Sequence, residues 1–224
     1  MKKRIKANTT KSVPGKKITD PSKIQLDSAI SVFDGHLQIT QYRLRHELFQ
    51  GGWSQTLCRE VMSQASNAVA VLPFDPYRQE IVLIEQFRIG AWASQSDDPW
   101  ILECIAGLSE DAENTQDVAI RETLEESGCS VLQLQSIATY YTTPGCSDQK
   151  VKLFCGEIDS KGVEGIHGVK AEGEDIRASA WPVNHAFDLL KEGEICNSTT
   201  IIALQWLMIN IESLTAQWTG ALKN

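Results

Sequence analysis

Over residues 23–62 apolar and polar positions alternate in three short runs, KIQLDSAISVF, LQITQYRLRHELF and WSQTLCREVM. In the second run Leu37, Ile39 and Gln41 alternate with Gln38, Thr40 and Tyr42, a period of two that fits a half-exposed strand better than a helix. The pattern predicts two or three antiparallel, peripheral strands. Two stronger apolar runs follow, NAVAVLPF and EIVLIEQF, joined by Asp75-Pro76-Tyr77-Arg78, whose residue types suit a turn. A short strand is expected over 100–105, ending in Ala106-Gly107. A helix is expected next, over 115–127, with Asn114 or Thr115 as N-cap and Gly128 closing it. Beyond it the pattern predicts strands at 132–141 and 151–157, a polar, Gly-rich loop over 159–175, a strand at 176–181, and helices over 183–191 and 199–215. Strands and helices interleave, yet many neighbouring strands are joined by short turns. The fold class is therefore α/β (α+β), a mixed sheet between helices rather than a doubly wound parallel sheet.

Composition narrows the function classes. At 224 residues, 42% hydrophobic and 22% charged, the chain can build one sizeable core and a small extension. No stretch approaches about 18 consecutive apolar residues, so no membrane partner is expected. The opening MKKRIKANTTKSVPGKK is basic without an apolar run and reads as part of a flexible tail over 1–22. A formal charge of −8 argues against a nucleic-acid partner. An acidic protein still handles a phosphorylated substrate where a divalent cation inverts the local charge. The six cysteines, at 58, 104, 129, 146, 155 and 196, form no C-x-x-C pair and no metal-knuckle spacing. They read as reduced, mostly buried thiols of a cytoplasmic protein.

Residues 107–129 carry the candidate chemistry, GLSEDAENTQDVAIRETLEESGC. On a helix Glu122, Glu125 and Glu126 share one arc, because positions i, i+3 and i+4 are neighbours. Ile120 and Leu124 fall on the opposite arc, expected to pack on the sheet, with Thr123 to one side. Like charges so placed cost roughly 0.2–0.5 kcal/mol per pair, so helix stability does not explain them. A hard divalent cation does, since Mg²⁺ takes a few carboxylates, waters and phosphate oxygens. A bare E-x-x-E-E is more often a solvated acidic face. The spacing reverses that preference: Gly107, five residues, Glu113, seven residues, Arg121-Glu122, two residues, Glu125-Glu126, one residue, Gly128. Seven specified positions at about 6–7% usage each recur by chance about once in a million over a chain of this size. This is the Nudix box, departing only at Thr123, where an aliphatic residue is more usual.

On these residues the chain resembles the Nudix hydrolases. Through YRLRHELF, CREV, LPFDP, VLIEQFR, PGCSDQ, GIHG with EGEDIR, and IIALQWL it is similar to the bacterial ADP-ribose pyrophosphatase branch over most of its length. The resemblance implies a Nudix α/β/α sandwich with a mixed sheet over 63–224, and an N-terminal antiparallel strand subdomain over 23–62 that forms a homodimer. It implies hydrolysis of ADP-ribose, a nucleotide-sugar substrate, to AMP and ribose 5-phosphate with Mg²⁺, Mn²⁺ being a substitute. By position, Glu122, Glu126, the Ala106 carbonyl and Glu174 would hold metal, with support from Glu125. Glu172 would deprotonate the attacking water, although Glu174 is the alternative base, and loop carboxylates are ordinarily just solvated. Arg59 and Arg88 would meet diphosphate or ribose oxygens, with a cross-strand ion pair as the plain alternative. Glu60 would accept from the adenine amino group, and His36 and Leu37 would flank the base. Leu108, Thr143, Pro144, Gly145 and Gln149 complete the substrate-binding set. His36 stands where the branch carries an aromatic, and Gln149 where it carries a glutamate. Trp53 and Trp92 read as ordinary packing. The competing readings are a Nudix enzyme for GDP-mannose or a UDP-sugar, and a non-catalytic module that senses ADP-ribose.

Overall fold

The apolar runs become strands and the box becomes a helix in a computed structural model, which describes residues 22–64, 66–109 and 113–220, with backbone alone at Glu172. The expected tail therefore lies outside the described residues, apart from Ser22. In chain order the elements are β1 (Ile24–Asp34), β2 (Gln38–His46), β3 (Leu57–Ser63), β4 (Ala68–Asp75), β5 (Glu80–Phe87), α1 (Ile89–Ala93), β6 (Trp100–Glu103) and β7 (Ile105–Leu108). They continue with α2 (Thr115–Ser127), β8 (Gln133–Tyr141), β9 (Lys150–Glu157), β10 (Glu164–His167), β11 (Ile176–Pro182), α3 (Val183–Glu192) and α4 (Ser198–Trp218).

These elements fall into two compact units. The first contains an antiparallel sheet in the order β1-β2-β3, as the alternation predicts. Segment Tyr141–Gln149 belongs to this unit. The Met62 N–H donates to the Cys146 carbonyl at 2.8 Å, and the Asp148 N–H donates to the Met62 carbonyl at 3.2 Å.

The second unit is built on a mixed sheet ordered β10-β11-β5-β4-β9-β8, with β6 on β5 and β7 on β4. Strand β4 runs parallel to β9 and antiparallel to β5 and β7. Its side chains alternate between two cores. Ala70, Leu72 and Phe74 pack with Leu204, Leu207 and Trp218 of α4, while Val69 and Val71 pack with Val118 and Ala119 of α2. Both faces are covered, which is why the run AVAVLPF is apolar throughout instead of alternating. The turn after β4 is fixed by Asp75, whose carboxylate accepts from Tyr77 and Arg78 N–H at 2.9 Å and from Ser160 N–H at 2.9 Å.

Several expectations are corrected. The strand foreseen at 100–105 breaks at Cys104 because the chain changes partner there, from β5 to β4. The loop over 159–175 contains β10 and a 3₁₀ turn, Lys170–Glu172, and α1 is an additional element that its five residues were too short to announce. Only Cys104, Cys129 and Cys155 are buried; Cys58, Cys146 and Cys196 are exposed. Trp53 and Trp92 are exposed rather than packed. None of the described helices is long and apolar enough to cross a membrane.

The largest correction concerns α2. Ile120 and Leu124, expected against the sheet, are 43% and 53% exposed, whereas Thr123 is fully buried and Glu126 is 2% exposed. The inner arc is Val118, Ala119, Glu122, Thr123 and Glu126. Small and polar residues face inward because the helix lies close over the sheet. There the Thr123 hydroxyl donates to the Ala119 carbonyl at 2.7 Å, so its polarity is satisfied locally.

The two helix faces of α4 should respond differently to truncation. Leu204→Ala, in the core, should cost about 2–5 kcal/mol in urea denaturation. Ile209→Ala, at a position 84% exposed, should stay within about 0.5 kcal/mol.

Candidate active site

The site is organised by the approach of α2 to β7. Asn114 caps the helix, its side chain accepting from the Gln116 N–H at 3.1 Å, and Gly128 closes it in the left-handed conformation at φ 72°. Between these stops the helix projects two carboxyls onto the β7 backbone. The Ala106 N–H donates to Glu126 Oε2 at 3.1 Å. At the next residue a Cβ built on Gly107 would fall 1.8 Å from Glu122 Oε1. Gly107 therefore leaves the space that the Glu122 carboxyl occupies, and a side chain there would displace that carboxyl.

Arg121 binds the outer side of the cluster. Its Nη1 donates to Glu122 at 2.9 Å and to Glu125 at 3.1 Å, and its Nε and Nη2 reach the two oxygens of Glu113 at 3.4 Å. The Arg121 guanidinium also reaches the Leu108 carbonyl at 3.4 Å. One arginine thus holds three of the box glutamates, a role the spacing alone does not reveal. Its proton is held above the ordinary arginine range, first by the Glu113 hydrogen bond, with burial opposing.

Glu174 arrives from the loop before β11. That loop is tied to α2 where the Gly168 N–H donates to the Glu125 carbonyl at 3.3 Å, and Glu174 Oε2 accepts from the Val169 N–H at 2.8 Å. Glu172 ends the 3₁₀ turn two residues earlier, and its side chain lies outside the described residues.

The electrostatics report a site short of positive charge. Burial pushes the Glu126 carboxyl up to about 8, its Ala106 hydrogen bond opposing and the charges of Glu122 and Glu174 adding. Glu122 is raised as well, chiefly by burial, with Arg121 opposing and Glu125 and Glu174 adding. Hard carboxylate oxygens that raise one another's proton affinity fit a hard divalent cation, whose charge would reverse the effect. Among the described residues, no three His, Cys, Asp or Glu side chains already form a closed ligand set; Arg121 engages Glu122 and Glu125 instead.

The other expected residues divide between the units. Arg88, Ala106, Leu108 and the acidic cluster lie in the second, whereas His36, Leu37, Arg59, Glu60, Thr143, Pro144, Gly145 and Gln149 lie in the first. His36 and Leu37 form the β1–β2 turn, and Arg59 and Glu60 sit exposed on β3. Arg59 donates to the Cys58 carbonyl at 2.9 Å, and Glu60 accepts from Gln41 at 3.4 Å. The Gln149 amide donates to the Gln64 side chain. Arg88 does form the ion pair that was its alternative reading, with Glu103 Oε2 at 2.6 Å. Glu103 escaped the sequence reading, although a lone carboxylate inside the apolar run ILECIAG is itself a signal.

Two outcomes test this geometry. Gly107→Ala should weaken Mg²⁺ binding in calorimetric titration while far-ultraviolet dichroism stays native; unchanged affinity would detach Glu122 from the cation site. The second concerns pH. Unfolded Glu126 releases its proton near 4.5 and folded Glu126 near 8, so between these values the folded state binds more protons. Metal-free protein should therefore lose stability as pH rises through that window. Glu126→Gln should flatten most of that slope in thermal melts with chelator.

Comparison with known proteins agrees with this construction. The NUDIX domain model matches residues 65–200. The chain is 37% identical to the ADP-ribose pyrophosphatase of Escherichia coli (strain K12) over 87% of this chain and 92% of that protein. It is 36% identical to the ADP-ribose pyrophosphatase of Haemophilus influenzae over 84% of this chain and 87% of that protein. The GDP-mannose pyrophosphatase of Cronobacter sakazakii is 32% identical over 67% of this chain and 78% of its own length. A solved structure described as an ADP compounds hydrolase superposes with a TM-score of 0.67 at 19% identity, over 86% of this chain and 96% of its own, and so shares the fold. The box, the fold that brings its carboxylates onto β7, and the domain match over more than half the sequence together make this chain a member of the Nudix family.

Proposed function

We propose that this chain hydrolyses the diphosphate of ADP-ribose to AMP and ribose 5-phosphate, using Mg²⁺ with Mn²⁺ as a substitute. The observation that carries the reading is the buried Glu126 carboxyl beside Glu122 and Glu174 over the β7 backbone, an arrangement costly without a cation. The choice of ADP-ribose is supported by the names of the relatives that share most of the chain's length.

In this mechanism Glu122, Glu126, Glu174 and the Ala106 carbonyl hold the cation set, and Glu125 supports them. Bound cations would draw charge from the bridging phosphates and acidify the attacking water. Glu172 accepts the proton of that water, from a loop that Gly168 docks on α2. Arg88 and Leu108 meet the substrate in this reading. Arg59, Glu60, His36, Leu37, Thr143, Pro144, Gly145 and Gln149 are the contacts the same reading assigns to the nucleotide and ribose.

The same reading takes 23–62 as a dimerisation subdomain and 63–224 as the catalytic domain. Strand β1 supports it: β1 is an end strand of its three-stranded sheet, and Ile30, Val32 and Phe33 on it are exposed. Free, exposed Cys58, Cys146 and Cys196 suit a reducing compartment, the cytoplasm in this reading. GDP-mannose is the second substrate to consider, because relatives named for it match at lower coverage.

A panel of ADP-ribose, GDP-mannose and a UDP-sugar with Mg²⁺ should show the highest kcat/KM for ADP-ribose; equal turnover of all three would reject that substrate. Glu172→Gln should retain ADP-ribose binding and lose roughly 10²–10⁴-fold in kcat. A larger loss in Glu174→Gln would move the base to Glu174. Ile30→Lys should shift the protein toward monomer in light scattering, and an unchanged mass would exclude β1 from the interface.

A further inference from the structure

Arg88 is held more firmly than an arginine half in solvent needs to be. Its side chain is 42% exposed, yet its partner Glu103 is only 4% exposed. Arg88 Nε donates to Glu103 Oε2 at 2.8 Å, and Nη2 reaches the same oxygen at 2.6 Å. The other oxygen, Oε1, accepts from Asn197 Nδ2 at 2.8 Å. Asn197 in turn caps α4, its Oδ1 accepting from the Thr200 N–H at 3.0 Å and the Thr200 hydroxyl at 3.1 Å. The Thr200 hydroxyl also accepts from the Cys104 N–H at 2.9 Å, so the residue after Glu103 is fastened to the same helix end.

Stability is a weak reason for this arrangement. Taking a carboxylate out of water costs several kcal/mol, and an apolar pair of similar volume often serves a fold as well. Placement offers a better one. Arg88 directly follows β5, and its partner Glu103 stands three residues before Ala106, whose N–H donates to the Glu126 carboxyl. The third guanidinium nitrogen, Nη1, has no hydrogen-bond partner among the described residues. A flexible arginine at the edge of an anionic substrate site loses rotamer freedom whenever it engages the ligand. One already fixed at two nitrogens, with the third free, loses far less.

We infer that Glu103 is a positioning residue: held by Asn197 at the N-terminus of α4, it fixes the Arg88 guanidinium so that its free edge meets the diphosphate or ribose oxygens of the substrate. This inference rests on the reading of Arg88 as a substrate contact. It adds that the contact depends on a buried carboxylate which touches no substrate, and on the cap of a helix in the layer opposite α2.

Steady-state kinetics of the full chain with ADP-ribose and saturating Mg²⁺ test it with Arg88→Ala, Glu103→Gln and the double variant, below the melting temperature of each. Glu103→Gln keeps the shape and removes the charge. It should raise KM about tenfold, the equivalent of one charge-assisted hydrogen bond, while kcat changes little. In the Arg88→Ala background the same substitution should add almost nothing, because the residue through which it acts is gone. A Glu103→Gln effect that persists undiminished in that background overturns the positioning role and leaves a structural one. If Arg88→Ala raises KM but Glu103→Gln does not, the positioning role fails while the Arg88 contact stands. If Arg88→Ala leaves KM unchanged, the contact reading itself fails. Should Glu103→Gln not fold, Asn197→Ser removes the donor to Glu103 while keeping a helix-capping hydroxyl. It should raise KM by a smaller factor in the same cycle, and an unchanged KM overturns the proposal.

Discussion

Glu126 is a carboxylate buried beneath a helix, against a strand backbone, and the rest of the site is arranged around that expense. A charge removed from water raises its own proton affinity until a donor or a cation compensates. Among the described residues one donor does so, the Ala106 N–H at 3.1 Å, and the carboxyl still stays raised to about 8. Bringing α2 this close also dictates its inner arc. Ala119 and Thr123 fill the space where longer side chains would hold the helix away, and Gly107 leaves room for the Glu122 carboxyl.

The strand segment beneath the helix is fixed from both layers of the sandwich. At Ala106 and Gly107 it receives the α2 carboxyls. At Glu103 and Cys104 it is fastened to the beginning of α4, through Asn197 and Thr200. The break between β6 and β7 makes this possible, because the chain leaves one strand neighbour for another at that point and its polar groups turn to different partners. Preorganisation of this kind is bought from the core: α4 is seated by Leu204, Leu207 and Trp218 against Leu72 and Phe74, and the position of its N-terminus follows.

Charge is distributed unevenly over the acidic cluster, with consequences for chemistry. Arg121 satisfies Glu113 and parts of Glu122 and Glu125 from the outside, whereas Glu126 has, among the described residues, a single neutral donor. The cluster is therefore neutralised at its rim and deficient at its centre. A divalent cation entering there would displace protons and strengthen the site at once, and metal affinity would rise with pH for the same reason. Glu174 adds its charge to Glu122 and Glu126 from a loop docked on α2 at Gly168, so the loop and helix contributions are coupled through main-chain contacts.

Much of this was legible in the residues themselves. Spacing from Gly107 to Gly128 identified the family, the helix bounds and the Gly128 cap, and narrowed the N-cap to Asn114 or Thr115, because capping, glycine conformations and repeat spacing are local properties read directly from residue type. The doubly apolar β4 and the alternating N-terminal strands were legible for the same reason. Which face of α2 turns inward was not. Hydrophobicity placed Ile120 and Leu124 on the sheet, and the structure places them in solvent, since a helix drawn close to a strand selects small residues and hydrogen-bonded polar groups over bulk. Nor could the sequence give the partners of Arg121, the attachment of segment Tyr141–Gln149 to β3, or the mounting of Arg88 on Glu103 and Asn197. Those contacts join positions far apart in the chain or depend on which of several nearby charges a side chain chooses. Such choices exist only once the sheet has set the distances.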